Sequence, residues 1–447
     1  MGFFFFLLVN ATLFVRPMEI IPDLEGVKLY EMFILASLVL SLPEIFSYFS
    51  TRPLRDQPIT ICVIGLLVLT VVAQISDPGE MVRHGEYFAK IFVYYLLAVS
   101  LLNTATRMRV FIAWLLCCFV LLTSLTILQY HEVIQLTPGG DERGAPNKLL
   151  ELEKDKLTGE VVTFGRLQGT GIFSDPNEFC GILATALPLC FWALGSRSWA
   201  LRPLWLLLIG LCLYGIALTR SRGGFLGLVA GLGVMAAARV GWKNTLLLGA
   251  LGLPVLFFAF GGRQTELSAT EGTARTRVQL WSEWLMRFRE NPLTGGGLNL
   301  AREEDLQLGK TADELGHLAH NSYLQAFADW GFLGGTLFLG AFVFAFWGVG
   351  RFQRGRVLIL DARLRRLQPY LLGSLAAYAA SIFSLSMTDR VPSYFMLALG
   401  CMFPLIARSV PPIGPVRVTP RVVLGIFGLS LAMVAFLYVF VRLFVTW

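Results

Sequence analysis

Apolar and polar positions fall along this chain in long blocks. Unbroken apolar runs lie near 2–15, 30–49, 59–75, 87–103, 108–129, 171–195, 201–219, 223–238 and 243–261, then near 329–350, 368–386, 391–407 and 422–446. About 20 apolar residues in a helix cross about 30 Å of hydrocarbon, and a lipid-buried backbone must satisfy its own hydrogen bonds. The pattern therefore predicts an all-α polytopic membrane protein of roughly 12–13 transmembrane helices, with the spanning of the short first run left open. The opening MGFFFFLLVNATLFVRP lacks a basic n-region and a small-residue cleavage site, so it reads as a span or half-span.

Two long polar intervals interrupt the runs. Within 130–170, GGDERGAPNKLLELEKDKLTGE reads as a solvated excursion with glycine, proline and alternating charge. Within 262–328, Val278, Trp281, Leu285 and Phe288 recur at helical spacing, with Arg277, Glu283, Arg287 and Arg289 between them. That predicts an amphipathic helix lying on the membrane surface, ended by NPLTGGGLN. The expected organisation is 1–130, N-terminal transmembrane helices; 131–170, an outer loop; and 171–261, transmembrane helices. A large outer cap at 262–328, built of short amphipathic helices, and C-terminal transmembrane helices at 329–447 complete it.

Charge sets the expected orientation. One set of connections carries Arg52 and Arg55, Arg107 and Arg109, Arg197 and Arg202, Arg239 and Lys243, six arginines between 351 and 366, and Arg408, Arg417 and Arg421. Acids there are few, Asp56 and Asp361, so the positive-inside rule makes this set cytoplasmic. Both long polar intervals then face the periplasm or cell exterior. The formal net charge of +7 follows from these connections, and nucleic acid is excluded as a partner. Composition agrees with the class: 55% hydrophobic residues, 35 Phe and a mean hydropathy of +0.65. Six of the seven cysteines sit inside apolar runs and Cys180 lies near a span end, with no metal or disulfide spacing.

Four stretches on the expected outer side could carry chemistry. In LTRSRGG, Arg220 and Arg222 occupy a short turn where the positive-inside rule disfavours them. Guanidinium binds phosphate oxygens in bidentate fashion and stays charged in a dry site; the bland alternative is snorkelling to lipid phosphates. In GRLQGTGIFSDPNEFCG, Asp175 or Asn177 is expected to cap the following helix, and Arg166 could add positive charge. In ARTRVQLWSEW, Arg275 and Arg277 suit either an anion or a solvated face. In LGHLAHNSYLQAFADWGFLGG, His317 and His320 are candidate general bases, and Asn321 and Tyr323 could orient a ring or bind sugar hydroxyls. A histidine at an interface is also commonly only a polar residue.

Taken together these stretches resemble the O-antigen ligase and polymerase superfamily of bacterial inner-membrane proteins. The matching pieces are G-x-F-x-D-P-N (Gly171 to Asn177), S-R-G-G (Ser221 to Gly224), and R-x-x-x-W followed by E-N-P-L-x-G-x-G (Arg277 to Trp281, Glu290 to Gly297). The last is H-N-x-Y-L with G-x-x-G-G (His320 to Leu324, Gly331 to Gly335). Order and spacing agree over roughly residues 165–345. The resemblance implies a GT-C-like, inverting glycosyltransferase that needs no cofactor and no metal, active at the periplasmic face of the inner membrane. It implies an undecaprenyl diphosphate-linked glycan as donor, and lipid A–core or a lipid-linked glycan as acceptor. By the same resemblance His320 is the general base, and Arg222 and Arg277, with Arg220 and Arg275, bind the diphosphate. Asn321, Tyr323, Arg166, Asp175 and Asn177 are possible support. Counting every run as a span leaves the C-terminus outside, whereas family ligases are drawn with both termini inside.

Ligase onto lipid A–core is the reading carried forward, with polymerase as the alternative. Protein O-oligosaccharyltransferase ranks third, for want of a large C-terminal polar block. A lipid transporter or flippase would place paired charges near mid-membrane, often with a pseudo-repeat; here ionisable residues cluster at span ends. A structural scaffold would not depend on His320.

Overall fold

The computed structural model describes residues 1–24, 26–134, 148–154, 161–195, 199–260, 272–300, 318–352 and 357–444. Among the described residues each expected apolar run is largely helical, so the fold is all-α and polytopic. Among the described residues, six helices can cross a membrane by length and composition, and a seventh crossing results if the bent pair Leu29–Leu40 and Leu42–Thr51 is one span. Gly2–Val15, Pro58–Val72 and Val391–Ile406 are apolar but shorter. Pro176–Leu194 is the most enclosed of the six, with 78% of its apolar window buried, whereas Pro420–Phe444 has 17% buried. The first is therefore a core helix, and the second leaves most of its apolar side chains exposed.

The chain forms two compact units. The first comprises residues 1–44, 101–266 and 353–381. At its centre Arg222–Val240 packs on Ala362–Ser381 and on Pro176–Leu194. Small residues make that approach possible: a Cβ on Gly227 would overlap the Ser381 side chain, and one on Gly231 would press on Ala377. Gly2–Val15 is anchored to the same unit by the Trp114 indole, whose Nε1 donates to Leu7 O at 2.7 Å. Part of the outer interval is ordered in a way its charge pattern did not suggest. Lys148–Lys154 and Val161–Leu167 form an antiparallel hairpin, with Lys148 opposite Leu167.

The second unit comprises residues 45–100, 267–352 and 382–447. Its long Ser322–Gly350 helix packs on Pro58–Val72, Val391–Ile406 and Pro420–Phe444. It starts at Ser322, ahead of the apolar run expected from 329, and Gly331 interrupts it at φ 65° and ψ −170°. The expected amphipathic helix is present as Gly272–Glu290, but its apolar stripe faces protein where a lipid surface was expected. Val278, Trp281, Trp284 and Leu285 are buried in one cluster with Ala319, Leu324 and Ala328, closed by Leu437 and Val441 of the Pro420–Phe444 helix. A stripe of aromatic and aliphatic side chains suits either surface, and here neighbouring helices supply the partner.

Candidate active site

In the second unit the candidate chemistry starts from a helix cap. Asn321 is the N-cap of Ser322–Gly350; its Oδ1 accepts from the Tyr323 and Leu324 amides at 3.1 and 3.2 Å. Among the described residues its buried Nδ2 has no hydrogen-bond partner, which leaves the amide's N–H donors uncommitted beside His320 in the chain. His320 itself sits in the left-handed region at φ 47°, an uncommon conformation for a non-glycine residue and one held here by its surroundings.

Those surroundings are explicit. The His320 amide donates to Ser386 Oγ at 3.0 Å, and Trp281 Nε1 donates to the preceding carbonyl, Ala319 O, at 2.9 Å. Ser322 Oγ donates to Leu385 O at 2.6 Å and accepts from the Met387 amide at 2.8 Å. The segment 385–387 and the Trp281 helix thus grip the backbone on both sides of a half-buried imidazole. Trp281 lies one turn after Arg277, so the helix carrying the candidate donor-binding arginine is the one that touches the histidine segment. Arg277 is half-buried. Tyr323 is buried with its ring near Phe338 and Phe383, so it supports the core around the cap. His317 and the Arg275 side chain lie outside the described residues.

A second feature of this unit joins the ends of two elements. The 290–297 segment docks against the break at Gly331. Gly296 and Gly297 amides donate to Ala328 O and Asp329 O at 3.0 and 2.9 Å, and the Phe332 amide donates to Pro292 O at 2.7 Å. Gly295, Gly297 and Gly331 all have positive φ, and a Cβ on Gly331 would overlap the Leu293 backbone. Arg287 Nη2 donates to Gly297 O at 2.6 Å and stands 3.7 Å from Oδ1 of the fully buried Asp329. The E-N-P-L-x-G-x-G and G-x-x-G-G pieces are two halves of one backbone joint.

Sequence reading missed Ser386, Asp389 and Tyr87. Tyr87 Oη donates to Asp389 Oδ2 at 2.9 Å, three residues beyond the serine that holds His320. The available signal was the Asp389–Arg390 pair in a turn only four residues long, 387–390, between two apolar runs. His84 is likewise part of this unit's polar set, with Nε2 3.1 Å from Glu80 Oε2. Burial pushes its imidazole below the ordinary value of 6.5, outweighing the opposing pull of Glu80.

In the first unit the structure gathers Arg166, Asn177 and Ser221. Arg166 is 5% exposed; its Nε donates to Thr219 O at 2.8 Å and its Nη2 to Asn177 Oδ1 at 2.9 Å. Ser221 Oγ donates to the same Asn177 oxygen at 2.8 Å and caps the Arg222 helix by accepting from the Gly224 amide at 3.2 Å. Asp175 caps Pro176–Leu194, accepting from the Asn177 and Glu178 amides at 2.8 and 3.0 Å. Arg166 is therefore a strut that ties the hairpin to the turn presenting Arg222. Arg220, at φ 49°, is exposed and lies over the Phe164 ring at 4.7 Å. Arg222 is half-buried at the first helical position, where the helix's own positive end adds to its charge. The second glycine after it serves helix packing: a Cβ on Gly224 would overlap Cys180.

No curated protein matches the chain. Residues 206–339 match the family model described as O-antigen ligase. That segment contains Arg222, Arg277, His320 and both glycine pieces, while Arg166, Asn177 and Ser386 lie outside it. The match gives that segment a likeness to the O-antigen ligase family and agrees with the resemblance read from the motifs.

Proposed function

We propose that this chain transfers a glycan from undecaprenyl diphosphate to an acceptor hydroxyl, with lipid A–core as the acceptor. The enzyme sits in the bacterial inner membrane with its chemistry at the periplasmic face. The observation that supports this most is the clamped, left-handed His320 next to the helix that bears Arg277. A strained residue whose backbone is fixed from several elements is a hallmark of sites where geometry matters to reaction.

In this reading the His320 imidazole takes the acceptor hydroxyl proton as the oxygen attacks the anomeric carbon. The bond from that carbon to the diphosphate oxygen breaks, the configuration inverts, and undecaprenyl diphosphate leaves. Arg222 and Arg277, assisted by Arg220 and Arg275, bind the diphosphate and stabilise the charge that develops on it. Asn321 fixes the cap that carries the histidine. Arg166, Asp175 and Asn177 hold the Arg222 turn. A diphosphate is a good leaving group, so neither a covalent nucleophile nor a metal is required.

The test is transfer by purified protein given lipid-linked glycan and lipid A–core. His320→Ala lowers turnover by about 10²–10⁴-fold while donor binding persists. Arg222→Ala and Arg277→Ala weaken donor binding more than acceptor binding. Full transfer by His320→Ala overturns the general-base assignment, and loss of transfer in EDTA overturns the metal-free reading. A product lengthened on its lipid carrier, with none joined to lipid A–core, makes the enzyme a polymerase.

A further inference from the structure

We propose that the first unit carries a binding site for the head group of an anionic phospholipid, formed by Arg109, Arg239, Arg363 and Arg366. These arginines come from three helices: Ala105–Tyr130, the last turn of Arg222–Val240, and the first turns of Ala362–Ser381. All belong to the basic set of connections, and none is assigned to donor or acceptor. The proposal does not depend on the glycan-transfer reading.

Like charges converge here. Arg366 is within electrostatic reach of Arg109 and Arg239, and Arg109 within reach of Arg363. Arg109 and Arg366 are half-buried, where repulsion is screened less than in open water. Two of the guanidinium groups are fixed in place: Arg366 Nη2 donates to Trp192 O at 2.5 Å, and Arg239 Nη1 donates to Tyr370 Oη at 2.7 Å. The acid acting on this cluster, Asp361, is engaged as a helix cap, with its Oδ1 accepting from the Arg363 and Leu364 amides at 2.7 and 3.2 Å.

The positive-inside rule accounts for arginines in these connections but not for their convergence around Arg366, which is half-buried and held by Trp192 O one turn before the Tyr370 that holds Arg239. An anion with several oxygens offsets the repulsion and suits the fork geometry of guanidinium. Exposed apolar side chains point to a lipid as its carrier: Val110, beside Arg109, is 43% exposed and Val240, beside Arg239, is 44% exposed. Basic pockets between transmembrane helices are a recurrent way to hold anionic head groups.

Native mass spectrometry and thermal unfolding in phosphatidylglycerol or phosphatidylcholine test the proposal. Wild type retains phosphatidylglycerol in preference to phosphatidylcholine and unfolds at a higher temperature with it. Arg109→Gln/Arg366→Gln loses that preference, with retention falling about fivefold for each charge removed. The exposed Arg363→Gln gives a smaller fall and serves if the double variant does not fold; Arg365→Gln, an exposed charge on the same helix outside the cluster, leaves retention unchanged. Equal retention of the two lipids by wild type overturns the proposal. So does undiminished phosphatidylglycerol retention by the cluster variants, or equal stabilisation by soluble glycerophosphate.

Discussion

Holding a histidine at φ 47° costs about 1–2 kcal/mol relative to an ordinary helical or extended backbone. The cost is met by bonds to Ser386 and Trp281 that arise far from it in the chain. This is why the histidine motif was readable as a signal and its support was not. The Asn321 and Asp175 caps follow local rules that a short window contains. Trp281, Ser386 and the Arg166 strut depend on contacts that only folding creates. His84 makes a testable case at this scale. It stands on the polar start of Pro78–Leu101, ahead of the apolar run 87–103, and its imidazole is held below 6.5 by burial. Between its ordinary value and the lower folded value the unfolded chain binds a proton that the folded one does not. Stability contributed by neutral His84 is therefore full above 6.5 and lost as pH falls below it. Thermal unfolding followed downward from neutral pH should show a shallower loss in His84→Gln than in wild type; parallel curves would refute this.

At the scale of elements, apolar runs located the helices well because lipid and core make the same demand on composition. What composition could not say was which surface the amphipathic helix would meet. Nor could it say that the glycines of 295–297 and 331 meet each other, because a backbone joint leaves no mark on hydropathy. That joint gives a sharp contrast between two glycines of one helix. Gly331→Ala places a Cβ on the Leu293 backbone at a positive φ, and should destabilise by about 2 kcal/mol or more, with loss of transfer. Gly350→Ala meets open space and should leave the unfolding temperature unchanged or slightly raised. Equal effects at the two positions would argue against the joint.

Across the whole molecule, orientation rests on arginine distribution alone, so it can be measured directly. Arg220 and Arg365 are both exposed and fall in connections expected on opposite faces. In a cysteine-free background, Arg220→Cys should react with a membrane-impermeant thiol reagent in spheroplasts, and Arg365→Cys only after permeabilisation. Labelling of both without permeabilisation would reject the assigned orientation. The break at Gly331 has one more consequence. From Phe332 to Gly350 the helix extends about 28 Å, enough by itself to match the hydrocarbon thickness. Ser322 to Trp330 are thereby relieved of spanning, although they belong to the same helix. One stretch of chain thus divides its labour: the later part answers to bilayer thickness, and the earlier part to the geometry required at His320. Each can vary in length or composition without dictating terms to the other.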